Sequence, residues 1–111
     1  MTTTVVNAQD AHRFEVQVDG DLAGFAEYRV APGVRAFVHT VIDDRFEGQG
    51  LGSQLVRAAL DATREEGLSI EPFCPFVKGY IERHPEYVEM VTPERRDQFG
   101  FEAVPADERD G

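Results

Sequence analysis

Asp43-Asp44-Arg45-Phe46-Glu47-Gly48-Gln49-Gly50-Leu51-Gly52 is the stretch on which the fold of this chain is decided. It joins an apolar run to a segment of helical periodicity and sets glycine at positions 48, 50 and 52. Glycine lets a ligand come close to the main chain, while the first-turn amides of a helix and its dipole favour an anion. Together they make a cradle for a diphosphate, so the stretch reads as the binding loop of a phosphate-bearing cofactor. A P-loop would need Gly-Lys-Ser or Gly-Lys-Thr, and Gly52 is followed directly by Ser53. The dinucleotide fingerprint would put its third glycine at Ser53, inside a parallel βαβ unit, whereas the strands before this loop read as antiparallel. A flexible glycine turn ahead of a helix, with no ligand at all, fits the spacing equally well.

Downstream, Leu51, Leu55, Ala58, Ala59 and Ala62 recur at three and four residues, and Gly67 stands where a helix ends. Residues 68–73 read as a strand, in which Pro72 lacks an amide donor and marks the point of divergence from a neighbour. Pro75 suits the first turn of a second helix with an apolar stripe of Phe76, Val77, Tyr80 and Ile81, and His84 ahead of Pro85 ends it. From residue 86 a short helix and then a frayed acidic tail are expected. Upstream, Phe14, Val16 and Val18 alternate with Arg13, Glu15 and Gln17, the period of a half-buried strand. Asp19-Gly20 turns the chain into a hairpin partner over residues 22–30, and Ala31-Pro32-Gly33 turns it again. Residues 36–42 are apolar on both faces apart from His39 and Thr40, as in a central strand covered on each side. The expectation is an α+β fold: three antiparallel strands, the glycine loop and helix, a diverging strand and a second helix.

The 111 residues suit one domain, expected over 1–111 with its core at about 13–91 and an acidic tail at 92–111. Hydrophobic residues make up 41% and eight are phenylalanine, which is core-forming material. A net charge of −10 argues against nucleic acid as a partner and admits cationic amines, although acidity of this size also serves solubility. One cysteine excludes an internal disulfide, and three scattered histidines show no metal-ligand spacing, so no metal is expected. Residues 1–10 lack the basic start and apolar run of a signal peptide, and no stretch approaches the ~20 apolar residues of a membrane span. A cytoplasmic protein without membrane partners is the expectation.

Arg45-Phe46-Glu47-Gly48-Gln49-Gly50 resembles the acetyl-CoA signature of the GNAT superfamily: Arg or Gln, two variable residues, Gly, one variable residue, then Gly or Ala. The order of strands, loop and helices is similar to the cofactor-binding core of that superfamily. A tighter resemblance, over about residues 14–91, is to a branch of very short GNAT-like proteins. It rests on His39-Thr40, the glycine loop, Cys74-Pro75-Phe76-Val77 and His84-Pro85-Glu86-Tyr87. The resemblance implies an N-acetyltransferase using acetyl-CoA. Backbone amides of Phe46, Gly48, Gly50 and Gly52 would face the CoA diphosphate within a loop of Arg45, Phe46, Glu47, Gly48, Gln49, Gly50, Leu51 and Gly52. Val41 and Ile42 would line the pantetheine arm. Two departures stand out: Glu47 occupies a position where relatives often carry a base, and Val41 replaces a glutamate common after the His-Thr pair.

Cys74 falls at the N-cap of the second helix, where the helix dipole favours a thiolate. It is a candidate nucleophile, a thiol that orients a thioester, or an inert core cysteine. His39 shares a predicted strand face with Phe37 and Val41, which makes it either a core histidine or a general base. Tyr80 resembles the tyrosine that many GNAT enzymes use to protonate the departing CoA thiolate, yet it sits in an apolar stripe. The chain is too short for the N-terminal helices that shape an acceptor pocket in such enzymes. The acceptor, a small amine or a peptide or protein lysine, would then meet an open site or one completed by a second subunit in a homodimer. The alternative is a non-catalytic CoA-binding or protein-interaction module on the same fold.

Overall fold

The computed structural model describes residues 2–101. One five-stranded sheet runs in the order β1-β2-β3-β4-β5. Strands β1 (Thr3–Ala8), β2 (Arg13–Val18), β3 (Asp21–Ala31) and β4 (Val34–Ile42) form an antiparallel meander, and β5 (Ser69–Pro72) lies parallel to β4. The crossover between those parallel strands is helix α1 (Leu51–Glu65), and α2 (Pro75–Arg83) follows β5. The β2–β3 turn is made by Asp19 at φ 52° and Gly20 at φ 90°, the paired positive values that let a tight hairpin match strand twist. Gly67, at φ 76°, closes α1 as its position implied. No described helix is long and apolar enough to cross a membrane.

Four antiparallel strands replace the three expected. β1 went unseen because Thr3-Thr4-Val5-Val6-Asn7-Ala8 does not alternate apolar with polar residues. It is a sheet edge held largely by main-chain pairing, with the Tyr28 hydroxyl donating to Asn7 Oδ1 at 2.6 Å.

The core lies between the sheet and the helices. Phe14 and Val16 from β2, Ala26 and Tyr28 from β3 and Phe37 from β4 meet Leu55, Val56, Ala59 and Leu60 of α1 and Val77 and Ile81 of α2. Full burial of such side chains stabilises by about 1.5–3 kcal/mol each. At the far end of α1, Arg35 is buried across the Tyr28 ring, 4.5 Å from its centroid, and grips Glu66 with two bonds of 2.9 and 3.0 Å. Its guanidinium also donates to Thr63 Oγ1 at 2.9 Å, tying β4 to the last turn of the helix.

β4 is covered on one face only, against the expectation of two. Glu27 pairs with His39 but the next residue, Tyr28, pairs with Phe37, so Val38 is an extra residue bulged out of the ladder. Alternation therefore slips by one. Thr40 takes the core side with Phe37, while His39 and Val41 point to the open face and are exposed. His39 lies edge-on to Phe25 there, at 6.4 Å. It is not a core histidine.

The expected short helix and tail also differ. Pro85 and Pro93, each lacking an N–H, begin 3-10 turns at Pro85–Met90 and Pro93–Arg95. Val91 bridges to Ile70 in parallel, and Thr92 N–H donates to Ile70 O at 3.2 Å, so the chain comes to lie beside β5 in the same direction. Phe99 and Phe101 are buried, Phe99 edge-to-face with Phe73 at 5.1 Å, which carries the core past the expected limit at residue 91. The rest of the expected tail, residues 102–111, lies outside the described residues.

Candidate active site

β4 and β5 run together only as far as Phe37, which pairs with Pro72. Pro72 has no N–H to extend the ladder, and one further bond, from Cys74 N–H to Phe37 O at 2.9 Å, fixes the start of α2 against β4. Beyond it residues 38–42 keep β3 on one side and have no strand on the other. The divergence expected at Pro72 thus opens a gap along the last half of β4.

That gap leads to the glycine turn. Asp43 N–H bonds Ala23 O at 2.8 Å, and the Asp43 carboxylate accepts from Arg45 N–H at 2.9 Å and from its Nε at 3.2 Å. Those bonds, the main-chain one foremost, hold the Asp43 carboxyl below its ordinary value. Arg45 is thereby folded back onto Asp43 and over the Phe46 ring, 5.1 Å from its centroid. Gly48 and Gly50 follow at φ 84° and 74°, in the left-handed region that costs an L-side chain energy. Gly50 is the N-cap of α1, and no side chain caps the helix. The first-turn amides therefore face a cleft of about 430 Å³ lined by Ile42, Phe46, Glu47, Gly48, Gly50, Leu51, Gly52, Ser53 and Phe76. Glu47 and Gln49 are exposed at its rim. Gly52 makes room of a different kind: a Cβ there would stand 2.5 Å from the Phe76 ring, which leans over from α2.

Cys74 is the N-cap of α2, with Pro75 as first helical residue, and its side chain is buried. Its Sγ lies 3.2 Å from Thr40 Oγ1, either atom able to donate. This pair sits where the two strands part. Thr40 was not singled out as a site residue, because only the Val38 bulge brings it to the core side; the adjoining His39 was the residue with recognisable chemistry. The structure does not bring His39 to Cys74, since the two lie on opposite faces of β4. Tyr80 is buried and stacks on His84 at 4.2 Å, with Tyr87 at 5.9 Å. Burial pushes its hydroxyl above the usual tyrosine value. Its aromatic partners are those two rings, and it shares the buried core with Cys74. Among the described residues no group of His, Cys, Asp or Glu is placed to hold a metal.

A mixed sheet whose parallel pair splays beside a glycine-entered, uncapped helix defines an α+β fold of the GCN5-related type. The family described as GCN5-related N-acetyl-transferase matches residues 13–90, and the chain belongs to it. Protein NATD1 of Mus musculus is 28% identical over 93 residues, covering 80% of this chain and 84% of the mouse protein. Protein NATD1 of Homo sapiens is 29% identical over 85 residues, covering 73% and 75%. The solution structure of a GCN5-like protein from Staphylococcus aureus superposes with a TM-score of 0.61 at 24% identity, covering 80% of this chain and 87% of that one, a likeness of fold.

Proposed function

We propose that this protein transfers an acetyl group from acetyl-CoA to a primary amine, carried by a small molecule or by a peptide or protein lysine. The observation that carries this reading is the uncapped N-terminus of α1, entered through Gly50 and opening on the same gap as the unpaired end of β4. A diphosphate fits the donors present: amides converge there, and the space where a Cβ would stand at Gly48 and Gly50 is open. Backbone groups of Val41 and Ile42, past the strand divergence, would hold the pantetheine arm. Family membership supports the same assignment, and the His39-Thr40, Cys74-Pro75-Phe76-Val77 and His84-Pro85-Glu86-Tyr87 motifs support placing the chain in the very short branch of that family.

Bound acetyl-CoA supplies an acetyl group activated as a thioester. The helix N-terminus and β4 fix its position, and positioning by itself lowers the barrier to transfer. Cys74 and Thr40 then act at the parting of the strands by one of two routes. Either the thiol takes the acetyl group, with release of the CoA thiol, before the amine receives it, or it orients the thioester carbonyl for direct attack. No histidine faces Cys74 among the described residues, so the ammonium of the acceptor loses its proton to water.

One feature favours a non-catalytic CoA-binding or interaction module: Glu47 adds a carboxylate at the rim of a diphosphate site. Titration calorimetry with acetyl-CoA tests the cradle, on the native chain and on Gly50→Glu with its fold checked by circular dichroism. Heat lost only in the variant supports the reading, and no heat from the native chain overturns it. Mass spectrometry after incubation with acetyl-CoA and a lysine peptide separates the rest. Acetylated peptide supports transfer, an acetyl group on Cys74 supports the covalent route, and binding without either supports the module.

A further inference from the structure

β1 is the outer strand of the sheet, and among the described residues no element other than β2 pairs with it. The opposite edge, β5, is met at Ile70 by a parallel bridge from Val91. Folded proteins guard an open edge with charge, proline or a bulge. β1 has none of these: Thr3-Thr4-Val5-Val6-Asn7-Ala8 is uncharged, lacks proline and pairs with β2 without a register shift.

The groups that face outward follow from its first neighbour. Thr2 O accepts from Asp19 N–H at 2.8 Å, so residue 2 turns its main chain toward β2. By the alternation of an antiparallel ladder Thr4, Val6 and Ala8 do the same, and Thr3, Val5 and Asn7 turn outward.

We propose that two copies of this chain join through β1, antiparallel about a two-fold axis at Val5, into one continuous sheet. Opposed residues in an antiparallel pair share a face, so the axis must pass through a residue and not between two. Centred on Val5, the pairs are Thr3 with Asn7, Val5 with Val5 and Asn7 with Thr3. All three present outward groups and each pair exchanges two bonds, about six in all. Any other centre makes fewer.

The helix side of this seam carries a groove of about 400 Å³ lined by Thr3, Val5, Gln54, Arg57, Ala58 and Asp61. The two-fold axis sets the α1 helices of the two copies antiparallel across it, with the opposite charges Arg57 and Asp61 of each at the seam. Arg57 makes no ion pair among the described residues of its own chain. On the other face Val6, 38% exposed, comes against Thr4 of the second copy. This self-complementarity in register and charge favours a second copy over a strand from another protein. A net charge of −10 on each chain opposes the union, so association strengthens as salt screens the repulsion. The assembly is independent of the acyl-transfer reading.

Sedimentation equilibrium of the full chain at low and high salt is the test. A mass twice the 12.4 kDa of the chain, growing with concentration and with salt, is expected. Val5→Pro removes an outward N–H and no β1–β2 bond, and Thr3→Lys places a charge in the seam; both halve the mass while leaving the circular dichroism unchanged. Hydrogen exchange adds a residue-level readout. Amides of Thr3, Val5 and Asn7 exchange slowly in the dimer, those of residues 3 and 7 rapidly in either variant and that of Val5 rapidly in Thr3→Lys, while those of Thr4, Val6 and Ala8 stay slow in all three. A monomer at every concentration and salt overturns the proposal. So does a dimer that both variants leave intact, or one in which Thr3, Val5 and Asn7 exchange freely.

Discussion

Thr40 and Cys74 form the contact on which the proposed chemistry of the site rests, and each can be tested alone. Thr40→Val keeps the shape of the side chain and deletes the hydroxyl 3.2 Å from the thiol. A hydrogen bond of this kind contributes about 1 kcal/mol, so acetyl transfer should slow by roughly fivefold with little change in the affinity for acetyl-CoA. His39→Ala should leave the rate within about twofold and the pH profile unaltered, since the imidazole faces away from Cys74. A large loss in steady-state kinetics of that variant would restore His39 as a base. The sequence made Cys74 legible, because Pro75 announces the helix start and so the N-cap before it. It could not make Thr40 legible, because the parity of a strand is lost at a bulge and no residue type at Val38 announces one.

At the scale of elements, two glycines differ in what surrounds them. At Gly24 a Cβ would stand 2.5 Å from the Val41 carbonyl and 2.6 Å from Ile42 Cδ1, and main chain cannot yield. Gly24→Ala should therefore cost about 1–3 kcal/mol in urea unfolding and weaken acetyl-CoA binding by displacing the end of β4. At Gly52 the obstacle is the far end of the Phe76 ring, 41% exposed and free to swing away. Gly52→Ala should leave stability within about 1 kcal/mol, alanine being the better helix former, while moving the ring out of the cleft. The two helices and the β5 strand were legible because caps, proline and a three-to-four periodicity mark them locally. β1 was not, because an edge strand owes its place to pairing with β2 and needs no pattern of its own.

For the molecule as a whole, a few long-range ties add to what the core supplies. Glu66→Ala would leave the buried Arg35 guanidinium without its carboxylate, and should cost about 2 kcal/mol in urea unfolding, less than for a wholly buried pair because Glu66 is 42% exposed. Tyr87 joins the segment after α2 to α1 through its 2.7 Å bond to Asp61. Burial, then that bond, pushes its pKa from 10.0 up to about 12. The folded chain holds this proton more tightly than the unfolded one, so the stabilisation is complete below pH 10.0 and is lost as pH rises to about 12. Urea midpoints across that interval should fall, and fall less steeply in Tyr87→Phe. Neither tie was visible beforehand, since each joins residues far apart in sequence that a periodicity cannot connect. The one-sided sheet was hidden likewise, because an apolar run along β4 reads the same whether one face is covered or two.

The bulge at Val38 has a genetic corollary. Deleting the Val38 codon would remove the extra residue and restore the two-residue repeat from Phe37 onward, with the imidazole still outward and the threonine hydroxyl still inward. The neighbour of Cys74 is thus chosen by counting: a regular ladder that kept Val38 would set an imidazole beside the thiol, and the one extra residue sets a hydroxyl there instead.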